Sequence, residues 1–226
     1  MSAVAVQIDT LTQRFDPKAP PALDGISATF YQGQTSGIIG PDGAGKTTLL
    51  RILAGLLRPQ GGSCALFGID VVSDGDRIRP LMGYMPQQFG LYRELSVQQN
   101  LDLYADLHGI PDKKQRFQRL LDLAGLAPFT KRLARDLSGG MKQKLALICC
   151  LIGQPKILVL DEPDVGVDPR SESDLWRMLQ QLNAEGVTVV WSTSNLSRAS
   201  EFDSILLLHK GQALFQGPPK QLTQEV

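Results

Sequence analysis

Short alternations of apolar and polar residues run from the N-terminus through Tyr31 and again over 63–67, and they predict β segments. Asp16-Pro17-Lys18-Ala19-Pro20-Pro21 interrupts them with prolines and predicts a surface connection. Residues 35–40 (TSGIIG) read as a short buried strand bounded by Gly. Over 46–57 the period changes, with Leu49, Ile52, Leu53 and Leu56 on one helical face. After Gln87 the pattern turns helical. Ser96-Val97-Gln98-Gln99 has the form of a capping box, followed by Leu101, Tyr104 and Ala105 on one face. A second helix follows Pro111, carries Phe117, Leu120, Leu121 and Ala124, and stops at Gly125. A third starts after Ser138 and runs to about 152. Beyond it come a strand at 157–160, a helix over 172–184 (Leu175, Met178, Leu179, Leu182), and strands at 187–191 and 205–208.

Strands alternating with helices predict an α/β fold with a mainly parallel sheet covered on both faces. The expected organisation is a single domain, 1–226. Its core and β subdomain occupy about 1–87 and 153–226, and a helical subdomain of about 88–152 is inserted between the halves.

The chemistry concentrates in two places. Gly40-Pro41-Asp42-Gly43-Ala44-Gly45-Lys46-Thr47-Thr48 matches the phosphate-loop (Walker A) pattern G-x-x-x-x-G-K-[ST] at every fixed position. It stands between a predicted strand and a predicted helix, the setting in which backbone N–H groups and a helix N-terminus converge on a phosphate. Gly43 and Gly45 supply the bend, Lys46 reaches the β- and γ-phosphates, and the Thr47 hydroxyl suits Mg²⁺. Downstream, the apolar run Ile157-Leu158-Val159-Leu160 ends in Asp161-Glu162-Pro163. Two carboxylates delivered at the end of a buried strand suit a metal, held directly or through water by Asp161, and a general base, Glu162.

Composition narrows the partners. Lys plus Arg (23) equals Asp plus Glu (23), so no global field points to nucleic acid or to an anionic membrane, and no nucleic-acid partner is expected. No apolar run is long enough to span a bilayer, and the first residues lack the basic and apolar regions of a signal peptide. Cys64, Cys149 and Cys150 are odd in number and lack metal-ligand spacing, which fits a reduced, cytoplasmic setting. Cys149 and Cys150 fall in an apolar helical run and read as core.

A third stretch, Leu137-Ser138-Gly139-Gly140-Met141, matches with one substitution the signature pentapeptide of the ATP-binding cassette (ABC) ATPases. With the phosphate loop and the acidic pair, essentially the whole chain resembles the nucleotide-binding domain of that family. The resemblance implies a P-loop NTPase fold with an N-terminal antiparallel β subdomain and an inserted helical signature subdomain. It implies ATP and Mg²⁺ as ligands, closure of two cassettes around ATP, and membrane-embedded permease subunits as partners. Each cassette lends its signature to the other's nucleotide. Physically, Ser138 and the N–H groups of Gly139 and Gly140 cap a helix whose positive end can face a γ-phosphate, and paired glycines allow close approach.

By the same resemblance Phe15 matches the aromatic residue that stacks on adenine, although a Phe there could equally anchor the β subdomain. Gln87 matches the glutamine linking γ-phosphate, Mg²⁺ and the permease, with Gln88 as the competing register. Asp168 matches the acidic residue facing the partner cassette. Phe89, Leu91 and Tyr92 fit a groove for a permease helix, or core. The wording is similar to ATPase chains of bacterial drug and cation exporters that carry two cassettes in tandem, and ribosome-associated tandem ATPases carry similar wording.

One departure bears on catalysis. The family places a His that contacts the γ-phosphate after the strand at 187–191, whereas the chain has Ser192-Thr193-Ser194-Asn195, with Ser194 at the His position. Neither histidine of the chain, His108 or His209, lies near enough in sequence to replace it. Asp164 for Thr or Ser, Met141 for Gln and Arg198 for an acidic residue read either as changes just behind the site residues or as solvated variation. The resulting expectation is a cytoplasmic ATPase cassette of an exporter, peripheral to the membrane, with a degenerate site of its own. Two other functions stay open: a soluble ribosome-associated ATPase, and a regulatory cassette that completes an active partner.

Overall fold

The computed structural model describes residues 3–88 and 90–222. The chain opens with β1 (Val4–Gln13), β2 (Leu23–Tyr31) and β3 (Thr35–Ile39), then α1 (Lys46–Leu53). β4 (Gly61–Leu66), β5 (Ile69–Asp70), α2 (Gly75–Ile78) and β6 (Met82–Met85) follow. Three helices come next: α3 (Val97–Leu107), α4 (Lys114–Ala124) and α5 (Gly139–Leu151). The last third holds β7 (Ile157–Asp161), α6 (Pro169–Ala184), β8 (Thr188–Thr193), β9 (Ser204–His209), β10 (Gln212–Gly217) and α7 (Pro219–Leu222).

Among the described residues the strands make two sheets. The core sheet runs β10-β9-β3-β8-β7-β6, parallel throughout except for antiparallel β10; the second, β2-β1-β4-β5, is antiparallel. The period-2 alternation of β7 and β8 sends neighbouring side chains to opposite faces. Leu158, Leu160, Val189 and Trp191 pack with α3, α4, α5 and α6 on one side. Ile157, Val159 and Val190 pack with α1 and the antiparallel sheet on the other. Both faces of the parallel sheet are therefore dry, and its functional groups emerge only at strand ends.

Local chemistry sets the helix ends. Ser96 and Gln99 form a reciprocal capping box at α3, with Gln99 N–H donating to Ser96 Oγ at 3.2 Å and Ser96 N–H to Gln99 Oε1 at 2.9 Å. α4 ends at Gly125, whose φ of 64° is the left-handed cap that glycine favours. α1 is shorter than its leucine spacing predicts: it ends at Leu53, and Leu56 lies outside it, 65% exposed. α6 starts earlier than expected, because Asp168 caps it ahead of Pro169 in the first turn.

Three strands escape the pattern, the two-residue β5 among them. β6 has four residues, one of them Gly, followed by Pro86. β10 is a largely exposed antiparallel edge, so His209 ends β9 rather than following the last strand.

Burial also decides the cysteine chemistry. It pushes the Cys64 and Cys150 thiols up to about 12 and Cys149 well above its ordinary value. Few thiolates are then left for alkylation at mildly alkaline pH, even at Cys150, which is only partly covered. Iodoacetamide should therefore leave the native chain unmodified and label the thiols only after urea unfolding, as read by intact mass. Rapid labelling of the folded chain would contradict this burial.

Candidate nucleotide-binding site

At the carboxyl end of β3 the chain turns through residues 40–45 into α1. Gly45 holds φ at 106°, and a Cβ there would lie 2.5 Å from the Ala22 carbonyl oxygen, so both the conformation and the space require glycine. α1 has no side-chain cap and no acidic residue in its first turn. Its leading N–H groups and positive end are thus left for an anion. A cleft of about 360 Å³ opens over this turn, lined by Ala22, residues 42–48, Gln87 and Glu162.

The floor of the cleft is a closed polar network. Lys46, 4% exposed, places Nζ 2.7 Å from the Gly40 carbonyl oxygen, 3.0 Å from that of Pro41 and 3.0 Å from Glu162 Oε1. Gln87 Nε2 donates to Glu162 Oε2 at 2.9 Å, so Gln87 and not Gln88 is the glutamine that reaches the acid. Asp161 is almost fully buried. Its Oδ1 accepts from the Thr47 hydroxyl at 3.1 Å and from the Ser192 hydroxyl at 2.8 Å. Ser192 in turn accepts from the Glu162 N–H at 3.0 Å.

Glu162 has a φ of 47°, the left-handed region that non-glycine residues avoid, and neighbouring bonds hold it there. Burial, and after it the charge of Asp161, raises the Tyr84 phenol above its ordinary value, while Arg51 opposes the rise. Among the described residues no cluster of three or more His, Cys, Asp or Glu could hold a metal.

The signature stretch stands apart from this floor and contributes no residue to the cleft lining. Ser138 caps α5 by accepting from the Met141 N–H at 3.3 Å, Leu137 is buried, and Gly139 is exposed. Met141 is partly buried against the helical core. Gly140 touches α6 so closely that a Cβ would lie 2.1 Å from Ser171 Oγ. That same Ser171 hydroxyl donates to Asp168 at 2.7 Å, and its hydroxyl and N–H bonds hold the exposed Asp168 carboxyl below its usual range. Gly140→Ala should therefore cost about 1–3 kcal/mol of stability in urea unfolding, as overpacking does, with Ser171→Gly recovering part of the loss. A neutral Gly140→Ala would contradict the contact.

Other expected residues disperse. Phe15 is 65% exposed and is neither a core anchor nor part of the cleft lining. Leu91 packs partly against the helical core, Tyr92 is 55% exposed, and Phe89 lies outside the described residues. Ser194 is exposed just past β8.

For Asp164 and Arg198 burial decides between the two readings, in favour of a place behind the site. They are not solvated: their side chains are 8% and 5% exposed and face each other at 3.5 Å. Ser192 joins the site without any mark in the sequence. Its role depends on the register that pairs it with Asp161 across β7 and β8, which no local pattern reveals.

A strand–loop–helix phosphate cradle beside two strand-end carboxylates, on this pair of sheets, defines a P-loop nucleotide-binding fold. The sequence pattern described as ABC transporter matches residues 23–165, and the chain belongs to that family. It is 49% identical, over 99% of its own length, to the probable multidrug ABC transporter ATP-binding protein YbhF of Escherichia coli, of which it spans 39%. It is 36% identical over its whole length to the daunorubicin resistance ATP-binding protein DrrA3 of Streptomyces coeruleorubidus, spanning 72% of that protein. Among solved structures, the ATP-binding cassette MJ0796, seen as a dimer bound to ADP and Pi, superposes with a TM-score of 0.85. Identity there is 25%, over 95% of this chain and 98% of that one.

Proposed function

We propose that the chain is the ATP-binding and ATP-hydrolysing cassette of an exporter, acting on the cytoplasmic face with a second cassette and membrane-embedded permease subunits. The observation that carries the reading is the Lys46–Glu162 pair at 3.0 Å on the cleft floor, with Gln87 on the acid and Thr47–Asp161 beside it. It brings together a cation for phosphate oxygens, a carboxylate to polarise water, and an oxygen pair for a hard ion. Loop residues 40–48 bind the phosphates, and Phe15, exposed and free to stack, meets the adenine.

The Thr47 hydroxyl, the buried Asp161 carboxylate and Gln87 fit Mg²⁺ by donor type. These oxygens would hold the ion jointly with those of the nucleotide phosphates. When bound it neutralises phosphate charge.

The drug-related names of YbhF and DrrA3 support an export role, and the partial span of YbhF agrees with a cassette that is one of two in a longer chain. Ser138, Gly139 and Gly140, away from the chain's own cleft, serve the partner's nucleotide, with Asp168 on the same face. Ser194 makes the chain's own composite site degenerate. That residue also favours a second reading, a regulatory cassette that binds ATP without turning it over.

The test is nucleotide-dependent closure. In a chain freed of its native cysteines, Ser138→Cys and Gly43→Cys on two copies, or on this cassette and its partner, should cross-link with ATP and not without it. Equal cross-linking in both conditions would remove ATP-driven pairing. Turnover of the isolated domain separates the hydrolysing reading from the regulatory one.

A further inference from the structure

We propose that Arg198 is a positioning residue that ties the segment around Ser194 to the start of α6 and relays occupancy of the cleft between them. The inference rests on the cassette reading above for the identity of the ligand.

Arg198 lies in the 3₁₀ turn Leu196–Glu201, four residues past Ser194, and its side chain is 5% exposed. Its guanidinium donates to Glu172 at 2.6 Å and to Glu201 at 2.7 and 2.9 Å, and stands 3.5 Å from Asp164 Oδ2. It lies over Trp191 at 4.2 Å and Trp176 at 5.1 Å from the ring centres.

Asp164 connects this cation to the cleft. Its Oδ2 also accepts from the Thr193 hydroxyl at 3.0 Å, whereas Oδ1 is buried without a partner, so the link passes through one oxygen. The carbonyl oxygen of Thr193 accepts from the N–H of Gly40, the first residue of the phosphate loop, at 3.3 Å. On the other side, Glu172 sits in the first turn of α6, beside Asp168 and the Ser171 that packs on Gly140. One guanidinium is thus linked through Asp164 to Thr193 at the strand end beside the phosphate loop, and through Glu172 to the helix that touches the signature.

Two properties make this a relay. A buried guanidinium cannot leave without stranding the buried Asp164 charge, so the contact is kept or broken as a unit. Its planar fork and ring stacking fix direction as well as distance, which an ammonium would not. Any displacement of Thr193 when the phosphate loop fills must therefore move Arg198 or Asp164. The dependence runs one way: Asp164 without Arg198 would be a buried charge with no cation beside it, whereas Arg198 would keep Glu172 and Glu201.

The chain carries its own reporter. Its two tryptophans, Trp176 and Trp191, are the rings beneath this guanidinium. The full chain is titrated with a non-hydrolysable Mg·ATP analogue, by calorimetry and by emission excited at the red edge of indole absorption. The native chain should show an emission change that saturates together with the calorimetric binding. Thr193→Val keeps the side-chain shape and removes the hydroxyl link; it should retain the affinity and lose most of the emission change. Arg198→Gln should do the same, and the double variant should be no worse than either single one. If Arg198→Gln fails to fold, Thr193→Val carries the test. Calorimetric binding without an emission change in the native chain, or a full change in Thr193→Val, overturns the relay. No calorimetric binding at all overturns the cassette reading and the relay with it.

Discussion

Lys46→Met should abolish tight ATP binding, and Glu162→Gln should strengthen it. Lys46 is the cation on the cleft floor, and its ammonium already holds two carbonyl oxygens and Glu162 within 3.0 Å. Charge-assisted bonds to phosphate contribute about 1.5–3 kcal/mol each, so losing two lowers affinity by at least about a hundredfold. Met keeps the volume, but Glu162 is 7% exposed and then lacks its counter-charge, so the melting temperature should fall as well. The Gln variant acts in the opposite direction. It preserves shape and the contact with Gln87 while removing a carboxylate that competes with phosphate oxygens for Nζ. At an effective dielectric of about 20, one such charge contact is large enough for a tenfold gain. Titration calorimetry of the folded variants reads both. Native affinity in Lys46→Met would remove the phosphate loop from the site, and weaker binding in Glu162→Gln would remove the competition.

Local patterns were legible where one physical rule acted alone. The phosphate loop, the Asp161-Glu162 strand end, the capping box at Ser96 and the Gly125 stop all follow from short-range chemistry and recur in the fold. Boundaries failed where tertiary contact decides. Leu56 has helical spacing but no core to face, and β6 becomes a strand because β7 pairs with it, not through a pattern of its own. In the site, pairing across strands was the invisible part. Ser192 meets Asp161 through register, and Asp164 meets Arg198 through a turn of 3₁₀ helix and a loop separated by 34 residues of chain. Each of those two charges looks exposed in sequence because charged residues are rarely buried; as a pair inside the fold both are.

In an assembled pair of cassettes, Ser138→Arg should stop most ATP turnover while Glu162→Gln in this chain changes the total little. The chain's own cleft keeps Lys46, Thr47, Gln87, Asp161 and Glu162 in contact, so binding should be intact, but Ser194 is exposed beyond β8 and offers no imidazole. A missing group that positions or carries a proton costs about 10²–10⁴-fold in rate, or roughly 3–5 kcal/mol of barrier. Turnover at this site is then a small share of the total, and neutralising Glu162 removes only that share. On the proposed function, Ser138 serves the other site. It caps α5 beside two glycines that leave the backbone open, and an Arg there breaks the cap and fills the space meant for a γ-phosphate. Ser194→His should raise the rate at this chain's own site, since the cleft floor is complete, and Glu162→Gln added to it should cancel the gain. Phosphate release measured for the native assembly and the four variants decides the matter. Ordinary turnover by the native isolated domain, eliminated by Glu162→Gln, would mean that Ser194 suffices where the His is expected.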